Sequence, residues 1–116
     1  MKQRAKKDEK PTVKPEMRQW LRQAQVFKAL GHFGRMTIVH ALAGGEVSGC
    51  DLPEAAGCSP STASRYLLVL GHAGLIAAER RGQQIYYRLT CPCVLTLAEC
   101  INRIDAGERV PTMRVA

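Results

Sequence analysis

Apolar residues recur at helical spacing along most of the chain. Met17, Trp20, Leu21, Ala24, Phe27 and Leu30 line one face of a first helix, and Gly31 stops it. Met36, Ile38, Val39 and Leu42 predict a second helix that ends at Gly44 and Gly45. A short third helix is expected to end near Ala56, and two starts compete for it. Ser48 with Asp51 fits a cap pair, but Pro53 would then sit too deep. Asp51 with Glu54 makes a capping box with Pro53 inside the first turn, where a missing N–H costs little. The second start is favoured and leaves Cys50 just ahead of the helix. After the turn at Gly57 and Cys58, Ser59 reads as an N-cap and Pro60 as the first residue of a fourth helix running to His72. Ala63, Leu67 and Leu70 mark its buried face, while Ser61, Thr62, Ser64 and Arg65 fall towards the other side. Residues 75–79 and 84–89 predict two strands, the second with the β-prone Ile85, Tyr86 and Tyr87. Arg80, Arg81, Gly82 and Gln83 form the basic tip between them. A last helix over residues 92–104 aligns Val94, Leu97, Ala98, Ile101 and Ile104. The fold class is mainly α with a small β-hairpin, and there is no internal repeat.

Composition narrows the class. The 116 residues suit one domain, and 46% hydrophobic content with only 5% aromatics implies an aliphatic core. No apolar run approaches the ~20 residues that span a bilayer, and residues 1–10 are charged and unlike a secretory signal. The expected compartment is therefore the cytoplasm, where the five cysteines remain reduced thiols. Formal charge is +7, with 17 basic and 10 acidic residues, which points to a polyanionic partner. Residues 1–16 carry +3 of it with little apolar content and read as a disordered basic arm. Residues 17–106 form the folded domain, and residues 107–116 a flexible tail.

Two short helices joined through Ala56, Gly57, Cys58 and Ser59 match a helix-turn-helix. Small polar side chains and Arg65 on the exposed start of the second helix suit a DNA major groove. They permit close approach, donate to phosphates and base edges, and allow bidentate contact with guanine. The helix start favours a phosphate, and the basic hairpin tip can reach the backbone beside it. Ser-rich helix starts are mostly ordinary caps, so it is the combination of turn, polar face and hairpin that carries this reading. An enzyme is not expected: no phosphate loop, paired carboxylates or Ser-His-Asp pattern occurs. A thiol-dependent catalyst or redox carrier, and a small basic adaptor, are the competing classes.

Five blocks resemble the ArsR/SmtB family: FKALGHFGRMTIVHAL at residues 27–42, CDL at 50–52, SPSTASRYL at 59–67, GLI at 74–76 and GQQIYYRL at 82–89. The resemblance implies a winged helix-turn-helix repressor that forms a homodimer through its first and last helices. It implies binding to a two-fold symmetric double-stranded DNA operator, and release when an inducer binds. It places Ser61, Thr62, Ser64 and Arg65 on the reading helix and Arg80, Arg81 and Gln83 on the wing; Ser59 and Tyr66, beside the first group, complete the candidate DNA-contacting set. No membrane partner and no folding cofactor are implied.

The sensor positions depart from the family. The arsenic-sensing pattern Cys-Val-Cys-Asp-Leu reads Ser48, Gly49, Cys50, Asp51, Leu52 here, leaving one thiol. Residues 1–49 lack cysteine, and the last helix offers Glu99 and no histidine for a zinc-type site. Cys91 and Cys93 flank Pro92 at a helix start, where the helix dipole favours thiolate. Thiolates suit As(III), Sb(III) or another thiophilic ion. Cys50, Cys91 and Cys93 are therefore the candidate metalloid site, with Cys100 as an additional candidate; ordinary buried cysteines are the plain alternative. A redox or reactive-sulfur switch on the same thiols is the runner-up. Cys58 reads as structural. His40 reads as a helix residue, His32 follows a helix-ending glycine and His72 lies near a helix C-terminus, and all three are weaker ligand candidates than the cysteines.

Overall fold

The computed structural model describes residues 14–107. Helix α1 spans Pro15–Leu30, α2 Phe33–Ala41, strand β1 Val47–Ser48, α3 Leu52–Ala56, α4 Pro60–His72, β2 Ile76–Arg81, β3 Gln84–Leu89 and α5 Cys93–Asp105. Most of the expected arm and tail lies outside the described residues. Pro15 and Glu16, assigned to the arm by sequence, instead form the first turn of α1. Proline tolerates that position and the carboxylate complements the helix dipole.

Local chemistry explains where the elements begin and end. The Nδ1 of His32 accepts from the Gly34 N–H at 3.0 Å, so α2 starts at Phe33, ahead of the first periodic apolar residue. Ser59 caps α4 by accepting from the Thr62 N–H at 3.2 Å, with Pro60 following it. Gly57 closes α3 in the left-handed region at φ 74°, which glycine enters without penalty. The expected capping box at Asp51 does not form. Asp51 lies at φ −90°, ψ −20°, a helical conformation, and its side chain makes no cap bond. Ser48 acts instead, its Oγ accepting from the Asp51 N–H at 3.2 Å, although α3 still begins at Leu52.

The sheet is antiparallel in the order β1-β3-β2. Val47 pairs with Tyr87 and Ser48 with Tyr86, a short strand that sequence periodicity missed. On the other side, β2 reaches Arg81, which pairs with Gln84, so the hairpin turns only through Gly82 and Gln83. Arg80 and Arg81 are thus strand residues, not tip residues.

The core lies between α2, α3 and α4. Ile38, Val39, Leu52 and Leu70 are wholly buried, joined by Leu42, Ala63, Leu67, Leu75 and Ile76. These are the expected apolar faces of the second and fourth helices. Helices α1 and α5 behave differently. Only Ala29 and Leu30 of α1 are buried, and no residue of α5 is. Trp20, Leu21, Phe27, Leu97, Ile101 and Ile104 stay between 41% and 60% exposed. Among the described residues, no helix is long and apolar enough to cross a membrane.

Leu70→Ala should lower the unfolding free energy by about 2–5 kcal/mol, because it leaves a cavity at the centre of this cluster. Chemical denaturation measures it; a loss below about 1 kcal/mol would contradict the assigned core.

Candidate nucleic-acid interface

The start of α4 is the most exposed polar part of the reading motif. Ser61, Ser64 and Arg65 face solvent and Thr62 is half-buried. The hydroxyls are linked: Ser59 Oγ donates to Thr62 Oγ1 at 2.9 Å and lies 3.4 Å from Ser61 Oγ. Arg65 reaches Thr62 Oγ1 only at 3.5 Å, so its donors remain available. The result is a helix N-terminus with free N–H groups, short hydroxyl side chains and one guanidinium, able to bind a phosphate and read base edges.

Tyr66 does not belong to that face. Its ring stands 4.9 Å from the His32 ring, tilted by 53°. It covers Gly34 so closely that a Cβ there would collide with the aromatic carbons. Tyr66 therefore sets how α2 and α4 pack, a role the sequence did not assign to it.

The wing also divides its cations. Arg81 donates to Glu46 through Nη1 at 2.8 Å and through Nη2 at 2.6 Å, and to Glu79 at 2.9 Å. Its guanidinium carbon sits 4.6 Å from the centroid of Tyr86. Hydrogen bonds that Arg81 donates to these carboxylates, Glu46 first, raise its pKa, and the bond it donates to Glu79 holds that carboxyl below the usual carboxylate range. Arg81 was expected to grip DNA; in the free chain its guanidinium is held at the surface by Glu46 and Glu79. The Arg80 side chain has no ion-pair or hydrogen-bond partner among the described residues. Gln83 is exposed in the turn.

The cysteines do not converge within one chain. Cys50 is exposed beside Gln84 and Tyr86, near the hairpin tip. Cys91 and Cys93 are exposed at the opposite end of β3, around Pro92. Six strand residues separate the two places, about 17 Å at ~3.4 Å per residue. Among the described residues, no three His, Cys, Asp or Glu side chains gather as a metal site. The three-thiol site expected from sequence is thus reduced, in a single chain, to the Cys91–Cys93 pair. Cys100 is half-buried about 10 Å further along α5 at ~1.5 Å per residue. Cys58 packs against the core.

Two participants were missed by sequence. Glu46 meets Arg81 across 35 positions, a separation that no local pattern signals. Thr90 ties the end of the wing back to the end of α4: its N–H donates to Leu75 O at 3.0 Å and its hydroxyl to Gly74 O at 2.5 Å.

A helix-turn-helix followed by an antiparallel hairpin defines a winged helix-turn-helix domain. Residues 34–78 match the family described as bacterial regulatory protein, arsR family. The chain is 38% identical over 84 residues to the transcriptional repressor SdpR of Bacillus subtilis, covering 72% of this chain and 93% of that one. Its fold is similar to the homodimeric winged helix-turn-helix DNA-binding domain Mb0332 of Mycobacterium bovis, at 25% identity and TM-score 0.76, covering 90% and 100% of the two chains. It is also similar to the antimony-specific transcriptional repressor AntR, at 28% identity and TM-score 0.66, covering 87% and 93%. Other repressors that it matches are spanned over only 59% of their length. The chain belongs to the ArsR family.

Ser59→Ala should cost about 1 kcal/mol of stability through loss of the α4 cap, whereas Ser59→Asp should hold it, since aspartate caps equally well. Thermal melts of the two variants should separate; equal melting would place the cap elsewhere.

Proposed function

We propose that the protein is a homodimeric transcriptional repressor of the cytoplasm that binds a two-fold symmetric DNA operator. The observation that carries this reading is the segregation of its surface. The polar start of α4 and the wing lie exposed, while α1 and α5 present apolar side chains that the described residues leave uncovered. Phe27 of α1 and Leu97 and Ile101 of α5 line one shared apolar groove, so the two helices form a continuous surface. A second copy would cover it by two-fold symmetry and set two reading helices about one DNA turn apart. Ser61, Thr62, Ser64 and Arg65 would face the major groove, with Arg80 and Gln83 on the backbone beside it. Support comes from the repressor SdpR and from the homodimeric Mb0332 domain.

The inducer we propose is a thiophilic metalloid, As(III) or Sb(III), taken first by Cys91 and Cys93. Both thiols are exposed and two residues apart at the start of α5. Similarity to the antimony-specific AntR supports this class of ligand.

Sedimentation should give a dimer, and Ile101→Glu should give a monomer. The wild type should bind a palindromic duplex with affinity falling by orders of magnitude as salt rises from low to physiological. Equally weak, salt-independent binding to every duplex would sink the repressor reading. Arsenite or antimonite should release the operator from the wild type and from Cys50→Ser, but not from Cys91→Ser or Cys93→Ser. Release by polysulfide alone would favour thiol oxidation, and release from both the Cys91 and the Cys93 variant would remove the pair as the sensor.

A further inference from the structure

We infer that Arg81 is a positioning residue that locks the wing onto the segment leading into the helix-turn-helix, and that Arg80 is the wing cation that meets DNA phosphate. The inference rests on the DNA-binding reading above for Arg80 only. The two arginines are adjacent, and strand geometry sends their side chains to opposite faces of the sheet. The register assigns the faces. Ile76, Ala78, Arg80, Ile85, Tyr87 and Leu89 share one; Ala77, Glu79, Arg81, Gln84, Tyr86 and Arg88 share the other. The first is the face that packs on the core, through Ile76, Tyr87 and Leu89. Tyr87 meets α4 there, beside Ser64, Leu67 and Leu68. Arg80 therefore continues the α4 side of the sheet outwards, on the side that carries the reading helix.

Arg81 lies on the far face and its charge is already spent. Two carboxylates hold its planar fork, one of them in bidentate fashion, and Tyr86 receives its guanidinium. The cluster of one cation and two anions is net negative, which repels a phosphate. Swinging Arg81 out to DNA would also leave Glu46 and Glu79 facing one another without their shared partner. Where these groups attach gives the cluster its role. Arg81 ends β2, Tyr86 lies in β3, and Glu46 immediately precedes β1. The cluster thus fastens all three strands at the edge where β1 is only two residues long. So short a strand holds its register weakly by itself. From β1 the chain passes through Gly49, whose N–H donates to Ile85 O at 2.7 Å, directly into α3. Fixing β1 therefore fixes the angle between the wing and the helix-turn-helix. An exposed ion pair adds little to global stability, so the variants remain folded and the effect is one of position.

Two readouts separate the roles, one of them without DNA. Amide hydrogen exchange on the free protein should show the Gly49 and β1–β3 amides exchanging about tenfold faster in Arg81→Ala, with the α4 core unchanged and Arg80→Ala like wild type. Arg81→Lys should resemble Arg81→Ala, because an ammonium keeps the charge but not the fork, and Glu46→Gln should shift in the same direction. On operator DNA, Arg80→Ala should lower the slope of log affinity against log salt by about 1.8 per dimer, one phosphate contact per chain. Arg81→Ala should weaken binding several-fold at fixed salt with the wild-type slope retained. Wild-type exchange in Arg81→Ala, or a slope lost as in Arg80→Ala, overturns the positioning role. An unchanged slope in Arg80→Ala overturns the phosphate contact. If the wild type binds no duplex, the repressor reading and the Arg80 contact fail together, while exchange still decides Arg81.

Discussion

Leu70 of α4 is buried in one cluster with Ile38 and Val39 of α2 and Leu52 of α3, and the rest of the structure is arranged around that contact. Aliphatic side chains packed at crystal-like density resist small changes of angle. The cluster therefore fixes α4 relative to its two neighbours. Everything the polar start of α4 can do outside the protein depends on that fixed angle. Tyr66 adds a second constraint from the side, filling the space that Gly34 leaves open against His32. The reading helix is held on its apolar face and at its flank, and at its polar start Ser61, Ser64 and Arg65 face outwards.

The same core sets a limit. It is built from short helices and closes over residues of α2, α3, α4 and the first residue of β2, leaving α1 and α5 attached mainly by one end or one edge. Val26, Ala29 and Leu30 anchor α1, and Val94 and Leu95 anchor α5. Beyond these anchors the apolar stripes meet water. Exposed apolar surface on two neighbouring helices is costly for a lone chain and favourable once a like surface covers it. Burial within the chain and association between chains are thus two parts of one hydrophobic economy, divided between different helices.

That division explains what was legible in the sequence. The faces of the second and fourth helices were read correctly because Ile38, Val39, Leu67 and Leu70 are covered by their own chain. Periodicity found the stripes of α1 and α5 equally well, yet a period says only that one face is apolar, not whose surface covers it. Strand β1 escaped because two residues cannot display an alternation. The cap of α3 was misassigned because Ser48 and Asp51 both satisfy a capping pattern, and only the backbone angles at Asp51 decide between them. Arg80 and Arg81 read as equivalent tip residues until the register placed them on opposite faces. Cys50 and Cys91 were grouped by chemistry, and the length of β3 separates them.

The placement of Cys91 and Cys93 gains meaning from the residue before them. Thr90 is tied by its N–H and its hydroxyl to Leu75 and Gly74, the two residues that leave α4. Leu89, one step earlier, is paired with Ile76 at the base of the wing. A bond formed at Cys91 therefore acts one residue from the joint where reading helix, wing and α5 meet. Coupling between an inducer and DNA requires an element with two arrangements that both sites bias. Helix α5 has no fully buried residue and is anchored only through the half-buried Val94 and Leu95, and its outward face is the surface proposed for the partner copy. On the proposed reading, a ligand that reshapes the Cys91–Cys93 turn would change how α5 leaves that joint. In the proposed dimer held by α5, this would change the spacing of the two reading helices without disturbing the core that holds each of them.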